Sequence, residues 1–323
     1  MISSTKLLEL SLRWVQAKLL KSVLRSIQWF IFFSFVFGCL FLRYVGHPYF
    51  LSRGFAHPAR QPLSEVTPAD LDLEYEAVSF ETADGLTLHG WYIPSHNGAA
   101  IMLYHPIASN RIGTISHAGM LASHGYGVLM MDIRAHGESE GDVMPYGGPE
   151  TEDALAAVDF MQSRDDVEPD RIGAMGLSLG THLAILGAAR SQAIRAVVVD
   201  GPGGTTFEDW PPAQSFGEYT WVPYDLVFYT FLPMHTGVKN PVSLLDSVPQ
   251  IAPRPIFFID GEPGRAATHF YQAAGDPKSI WIIPGGGHID GITVNPQEYE
   301  QRVIAFFDTA LPSTSGEDQT LTR

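Results

Sequence analysis

Residues 171–190 read RIGAMGLSLGTHLAILGAAR, and this stretch decides the architecture. Residues 172–175 are apolar at every position, as a strand covered on both faces requires. Residues 179–190 carry Leu179, Leu183, Ala184 and Leu186, all good helix formers. Between the two lies Gly176-Leu177-Ser178-Leu179-Gly180, a GxSxG sequence. The five residues alone are a weak signal, and the strand before and helix after them give it weight. Glycines two residues either side of the serine let strand and helix approach closely through a sharp turn. Such a turn lifts the Ser178 hydroxyl above the end of a sheet.

The pattern repeats outward. Short apolar runs at 99–105, 128–132, 196–200, 255–260 and 279–284 read as further buried strands. Helical stretches at 115–124, 150–163, 269–274 and 296–310 separate them. Upstream, 75–80 and 86–93 alternate apolar and polar residues around Asp84-Gly85, which predicts a β-hairpin. The expected fold class is therefore α/β, with a mostly parallel central sheet and helices on both faces. Ligands in such sheets bind at the carboxyl ends of the strands, where Ser178 falls.

A serine hydroxyl needs a base to act as a nucleophile near neutral pH. His288 ends Pro284-Gly285-Gly286-Gly287-His288, just past the last expected strand, in a loop open enough to aim an imidazole across the strand ends. His182 lies inside the elbow helix, His124 ends a helix, and His47, His57 and His96 fall in linkers or turns. These five read as structural or surface residues.

With these motifs in place, residues 75–310 resemble the α/β-hydrolase family, specifically its monoacylglycerol-lipase-like and serine-aminopeptidase-like members. Asp132-Ile133-Arg134-Ala135-His136-Gly137-Glu138-Ser139 is similar to the family's D-x-R-G-H-G-x-S loop, and His124–Val128 to the turn before it. Tyr104-His105-Pro106-Ile107 stands where the family has an H-G-x oxyanion loop, and 284–288 is similar to its P-G-x-G-H. The resemblance implies Ser178 as nucleophile, His288 as general base and then acid, and backbone N–H groups of Leu179 and Ile107 as oxyanion donors. It implies no cofactor and no metal.

The chain departs from the family in two places. Pro106 replaces a glycine, which alters the loop while leaving the next N–H available. The family's H-G-x-x-D after the seventh strand is here Asp260-Gly261-Glu262-Pro263-Gly264, with Gly264 at the position of the acid. Glu262 is the first substitute, since a longer carboxylate suits a shorter loop. Asp260 and Asp200 are the alternatives, and an acid-free site is the remaining one.

Residues 201–250 break the strand–helix rhythm with a run of aromatics interleaved with proline. This insert reads either as a lid over the site or as a packing cover, and Trp210, Trp221, Tyr224 and Phe228 are its expected substrate-binding residues. The expected reaction is hydrolysis of carboxylic esters, lipid-derived ones among them. An amidase or aminopeptidase is the alternative, with Glu208, Asp209 or Glu218 anchoring a charged substrate end. A non-catalytic binding module is a third reading.

Composition adds exclusions and one asymmetry. The 323 residues carry a formal charge of −15, which argues against nucleic acid, and a single Cys, which excludes disulfide frameworks and Cys-based metal sites. Residues 1–60 hold eight basic residues against Glu9, a net +7, leaving −22 for the rest. Within this basic head, residues 27–42 read IQWFIFFSFVFGCLFL, flanked by Arg25 and Arg43. The 17 residues between those arginines extend roughly 26 Å as a helix, enough for a short membrane span. The residues after Cys39 lack the small side chains of a cleavage site, so an uncleaved signal anchor is expected. The expected organisation is a basic amphipathic segment at 1–25, an anchor at 26–45, a linker at 46–72, a hydrolase domain at 73–312 with its insert at 201–250, and a disordered tail at 313–323. Positive residues before the span predict a cytoplasmic N-terminus and an extracytoplasmic body, periplasmic if the source is bacterial. Nothing in the sequence sets an oligomeric state.

Overall fold

A computed structural model describes residues 4–313; residues 314–323, where the tail was expected, lie outside the described residues. The chain opens with helix α1 (Ser4–Phe41), a π-turn (Leu42–Gly46) and helix α2 (His47–Ala56). The body follows as β1 (Glu76–Glu81), β2 (Thr87–Ile93), β3 (Ala100–Tyr104), α3 (Ile115–Ser123), β4 (Gly127–Met131), α4 (Glu150–Gln162), β5 (Ile172–Leu177), α5 (Gly180–Arg190) and β6 (Ile194–Asp200). The insert holds α6 (Phe216–Tyr219), α7 (Val222–Thr236) and α8 (Leu244–Ser247). The chain closes with β7 (Ile256–Gly261), α9 (Arg265–Ala273), β8 (Lys278–Ile283), α10 (Gly291–Val294) and α11 (Pro296–Ala310).

The eight strands form one sheet in the order β1-β2-β4-β3-β5-β6-β7-β8. β1–β2 and β2–β4 are antiparallel, and every later pairing is parallel. All eight strands read from the sequence are present. Burial follows the strand period. In β3, Ala100, Met102 and Tyr104 join one core while Ile101 and Leu103 join the other, and β6 and β7 divide the same way. Helices α4, α5 and α9 cover one face, while α3 and α11 cover the other with Leu121, Val303 and Phe307.

Two segments differ from the sequence reading. The stretch expected as a linker at 46–72 contains helix α2, which starts with Pro48 in its first turn and buries Ser52 and Ala56. It forms because it packs on α7: Phe55 meets Phe228 edge-on at 5.3 Å, and Tyr49 meets Phe231 at 5.0 Å. The insert at 201–250 is helical, with a 15-residue α7 whose apolar residues surround the helix and so hide its period. Helix α1 runs unbroken through residue 25, so of the two readings of the basic segment, lying on the membrane surface or extending the anchor helix, the structure takes the second. Its large apolar side chains are exposed, Phe30 by 73% and Phe35 by 69%, and residues Leu12–Ala56 contain a stretch long and apolar enough to cross a membrane.

Candidate active site

The turn between β5 and α5 places Ser178 at the carboxyl edge of the sheet with φ of +52°, a left-handed conformation that costs a non-glycine residue energy. Neighbours hold it there. The Ser178 N–H donates to the Asp200 carbonyl at 2.9 Å, and the Thr181 hydroxyl donates to the Ser178 carbonyl at 2.6 Å. A side chain at Gly176 would strike the Gly180 backbone, and one at Gly180 would strike the Tyr104 carbonyl, so both glycines are required by close approach.

His288 follows β8, and its Nε2 lies 2.8 Å from the Ser178 Oγ. The ring crosses the end of β6 over Gly201, where a Cβ would meet the imidazole. The two residues, 110 positions apart in the chain, are thus brought within the hydrogen-bond distance that a nucleophile and its base require.

The third member differs from the first expectation. Glu262 lies one step beyond β7, exposed, with its carboxylate accepting from the Gly285 N–H at 3.3 Å. No hydrogen bond joins it to His288 among the described residues. Asp260 sits at the end of β7, half-buried. Burial raises its pKa, while the Ala267 N–H, the His288 ring and the Gly261 N–H act in the opposite sense. Asp200 is fully buried and accepts the Tyr299 hydroxyl at 2.6 Å. Burial pushes its pKa up to about 7, against the Tyr299 hydrogen bond and with help from Asp260 and Asp290. None of the three carboxylates hydrogen-bonds His288 among the described residues, and Asp260 is the one whose pKa the His288 charge lowers.

The oxyanion loop follows β3. His105 is buried, and burial with the neighbouring His136 lowers its pKa to about 4, so the ring is neutral at neutral pH. Its Nδ1 pairs with the Pro106 carbonyl at 2.8 Å and its Nε2 accepts from the Ile133 N–H at 3.1 Å. In a planar trans peptide the N–H points opposite the carbonyl, so this pairing turns the Ile107 N–H away from His105. Ile107 and Leu179 both line the cavity that holds Ser178. The Asp132–Ser139 motif is a brace. Asp132 pairs with Arg111 at 2.6 Å, Arg134 pairs with Asp153 and Asp84, and the Ser139 hydroxyl donates to the Asp132 carbonyl.

The cavity over Ser178 measures about 540 Å³. Of the four insert residues expected at the substrate, Trp210 and Phe228 line it. Trp221 and Tyr224 do not. Their rings receive the Arg43 guanidinium at 4.0 and 5.0 Å, and the Tyr224 hydroxyl bonds His47 Nδ1 at 2.6 Å. They lie at the start of α7, Trp221 as its cap and Tyr224 in its first turn, where Arg43 and His47 meet them, whereas Phe228, one turn further on, and Tyr229 reach the cavity. Sequence reasoning missed Phe55, Tyr146 and His182, which also line the cavity. His182 was legible as the residue one helical turn after Ser178, whereas Phe55 and Tyr146 carried no local signal.

Residues 45–217 match the family described as X-Pro dipeptidyl-peptidase (S15 family). A Mycobacterium tuberculosis protein is 30% identical over 235 residues, covering 70% of this chain and 75% of that one. An alpha/beta hydrolase domain-containing protein of Arabidopsis thaliana is 24% identical, covering 78% and 85%. An esterase of Pyrococcus furiosus superposes with a TM-score of 0.66 at 26% identity, covering 80% of this chain and 98% of that one.

Proposed function

This chain belongs to the α/β-hydrolase family, and from that premise we propose that it is a membrane-anchored serine hydrolase that cleaves carboxylic esters through an acyl-enzyme on Ser178. One observation carries the reading: the Ser178 Oγ lies 2.8 Å from His288 Nε2 at the edge of an apolar cavity. His288 takes the hydroxyl proton as Ser178 attacks the acyl carbonyl. The Leu179 and Ile107 N–H groups hold the resulting oxyanion, each donor being worth about 3 kcal/mol in the transition state. His288 then protonates the departing alkoxide, and next activates the water that releases the acid. Asp260 orients the imidazole and stabilises its protonated form.

Esters are favoured over peptides by the cavity's chemistry. Among the described residues its lining carries no carboxylate to receive a peptide's ammonium group. The three acids considered for that role are placed elsewhere. Asp209 is buried and accepts from Thr205, Thr206, Ser243 and Leu245, Glu218 pairs with Arg265, and Glu208 lines a separate outer groove. The S15 match keeps peptide cleavage as the alternative.

The exposed apolar surface of α1 supports anchoring, and its flanking basic residues support a cytoplasmic N-terminus with the catalytic body outside the cytoplasm. Full-length protein in detergent should label with a fluorophosphonate at Ser178 and hydrolyse p-nitrophenyl octanoate but not glycyl-prolyl-p-nitroanilide. Labelling that survives Ser178→Ala overturns the nucleophile, and cleavage of the anilide alone overturns the ester reading.

A further inference from the structure

The cavity over Ser178 is apolar apart from a few side chains, and two of these hold polar atoms without a partner. The Tyr146 hydroxyl and His182 Nδ1 are buried and make no hydrogen bond, although both residues line the cavity. Their rings meet edge to face at 5.5 Å, so the two residues are neighbours in the cavity wall. An unpaired polar group inside a protein is unfavourable and calls for a physical reason. The nearby polar side chain in the same wall has its partners: the Tyr229 hydroxyl accepts from Trp210 Nε1 at 2.5 Å and donates to the Gly204 carbonyl at 3.2 Å.

The position of Tyr146 is itself built. Its φ is +56°, in the left-handed region that a bulky residue rarely occupies. The backbone after it is fixed on both sides. The buried Glu150 carboxylate accepts the Gly147 and Gly148 N–H groups, and the Val242 N–H donates to the Gly147 carbonyl at 2.7 Å. Strain of this kind persists where the surroundings impose it, and it concentrates at binding and catalytic sites. His182 is held as firmly, in the first turn of α5, four residues after the nucleophile.

We propose that Tyr146 and His182 form a polar subsite within the cavity, and that the preferred substrate carries a neutral oxygen, a hydroxyl or carbonyl, on the part buried beside Phe55 and Phe228. The inference rests on the serine-hydrolase reading for the reaction, but the subsite itself is a binding property. A neutral ligand group suits both residues. Burial holds the Tyr146 phenol protonated, and burial lowers the His182 pKa to about 4, which leaves its ring neutral. Tyr146 then donates, while a neutral imidazole accepts at one nitrogen and donates at the other. A plain hydrocarbon chain leaves both groups unpaired. The matching oxygenated chain pairs them, which is how a site built for a hydroxyl discriminates against an analogue lacking it.

The test compares p-nitrophenyl octanoate with its monohydroxylated isomers, using the full-length protein. One isomer should exceed the parent in kcat/KM by about tenfold, the size of one net hydrogen bond. Tyr146→Phe should reduce that ratio toward one, whichever way the absolute rates move. Because Tyr146→Phe removes an unpaired atom, its Tm should equal or exceed that of the wild type, whereas a hydroxyl with a structural role would lower it. A second arm uses Ser178→Ala protein and methyl octanoate with its hydroxylated isomers, read by thermal shift. The larger shift should come from the same isomer and vanish in Ser178→Ala/Tyr146→Phe. If no isomer outperforms the parent in either arm, or Tyr146→Phe leaves the ratio unchanged, the subsite is refuted. If binding discriminates but no ester is cleaved, the subsite stands and the hydrolase reading falls.

Discussion

The carboxyl edge of the sheet and the helical insert above it enclose the same cavity, but they are built in different ways. On the sheet, Ser178, Asp200, Asp260 and His288 sit at or just past the ends of four adjacent strands, each fixed by backbone ladders below it. In the insert, side chains take their roles from what α7 packs against. Phe228 points into the cavity and meets Phe55, while Tyr224, four residues earlier, holds His47 and Arg43. The sheet edge therefore sets the reaction, and the insert divides its aromatic surface between substrate and anchor. Position along a strand predicts chemistry, whereas position within an aromatic run does not.

The most severe test of the sheet edge concerns the acid. Asp260→Asn should lower kcat by about 10⁴-fold, as loss of a triad acid does, while Glu262→Gln should stay within about threefold. Equal losses in both variants, measured with p-nitrophenyl octanoate, would return Glu262 to the site. Next comes the stability associated with Asp200. Its folded pKa of about 7 lies above the unfolded value near 4, so the native state binds the extra proton. Its contribution to stability is thus fully present below about pH 4, falls as pH rises to 7, and is flat above. Asp200→Asn should gain on the wild type across that window, by up to about 4 kcal/mol in urea melts. A constant difference from pH 4 to 8 would show that Asp200 does not titrate there.

The insert gives smaller and contrasting effects. Phe228→Ala removes a ring that is 7% exposed, and should cost about 3 kcal/mol in unfolding free energy and weaken selection among acyl chains. Trp221→Ala removes a ring that is half exposed, lies under the Arg43 guanidinium and meets Tyr224 edge-on. It should cost under about 1 kcal/mol and leave kcat/KM unchanged, because its contact belongs to the anchor. If Trp221→Ala instead altered chain-length preference, the division of the insert between cavity and N-terminal segment would fail.

Much of this was legible in the chain. The strands announced themselves because a two-sided sheet needs short, continuously apolar runs, and the elbow because its glycines must meet neighbouring backbone. His288 stood out because a glycine loop precedes it at a strand end. Trp210 and Phe228 were expected at the substrate by their aromatic character, and both line the cavity over Ser178. The same reasoning placed Trp221 and Tyr224 there, and it failed because composition cannot tell which turn of the insert lies over the cavity and which meets the N-terminal segment. The acid stayed open: Glu262 points to the Gly285 N–H, no carboxylate hydrogen-bonds His288 among the described residues, and Asp260 is proposed because its pKa responds to the imidazole.

By itself the sequence determined the parallel α/β scaffold, the elbow serine and the loop histidine that meet at its edge, and the apolar N-terminal helix. Each of these is encoded by local periodicity or by residue spacing within a few turns of chain. Only the tertiary structure decided the conversion of a nominal linker into the wall bearing Phe55, the turning of Glu262 away from His288, and the buried pair Tyr146 and His182. Those depend on distances between residues tens to hundreds of positions apart, which packing sets and no local pattern records.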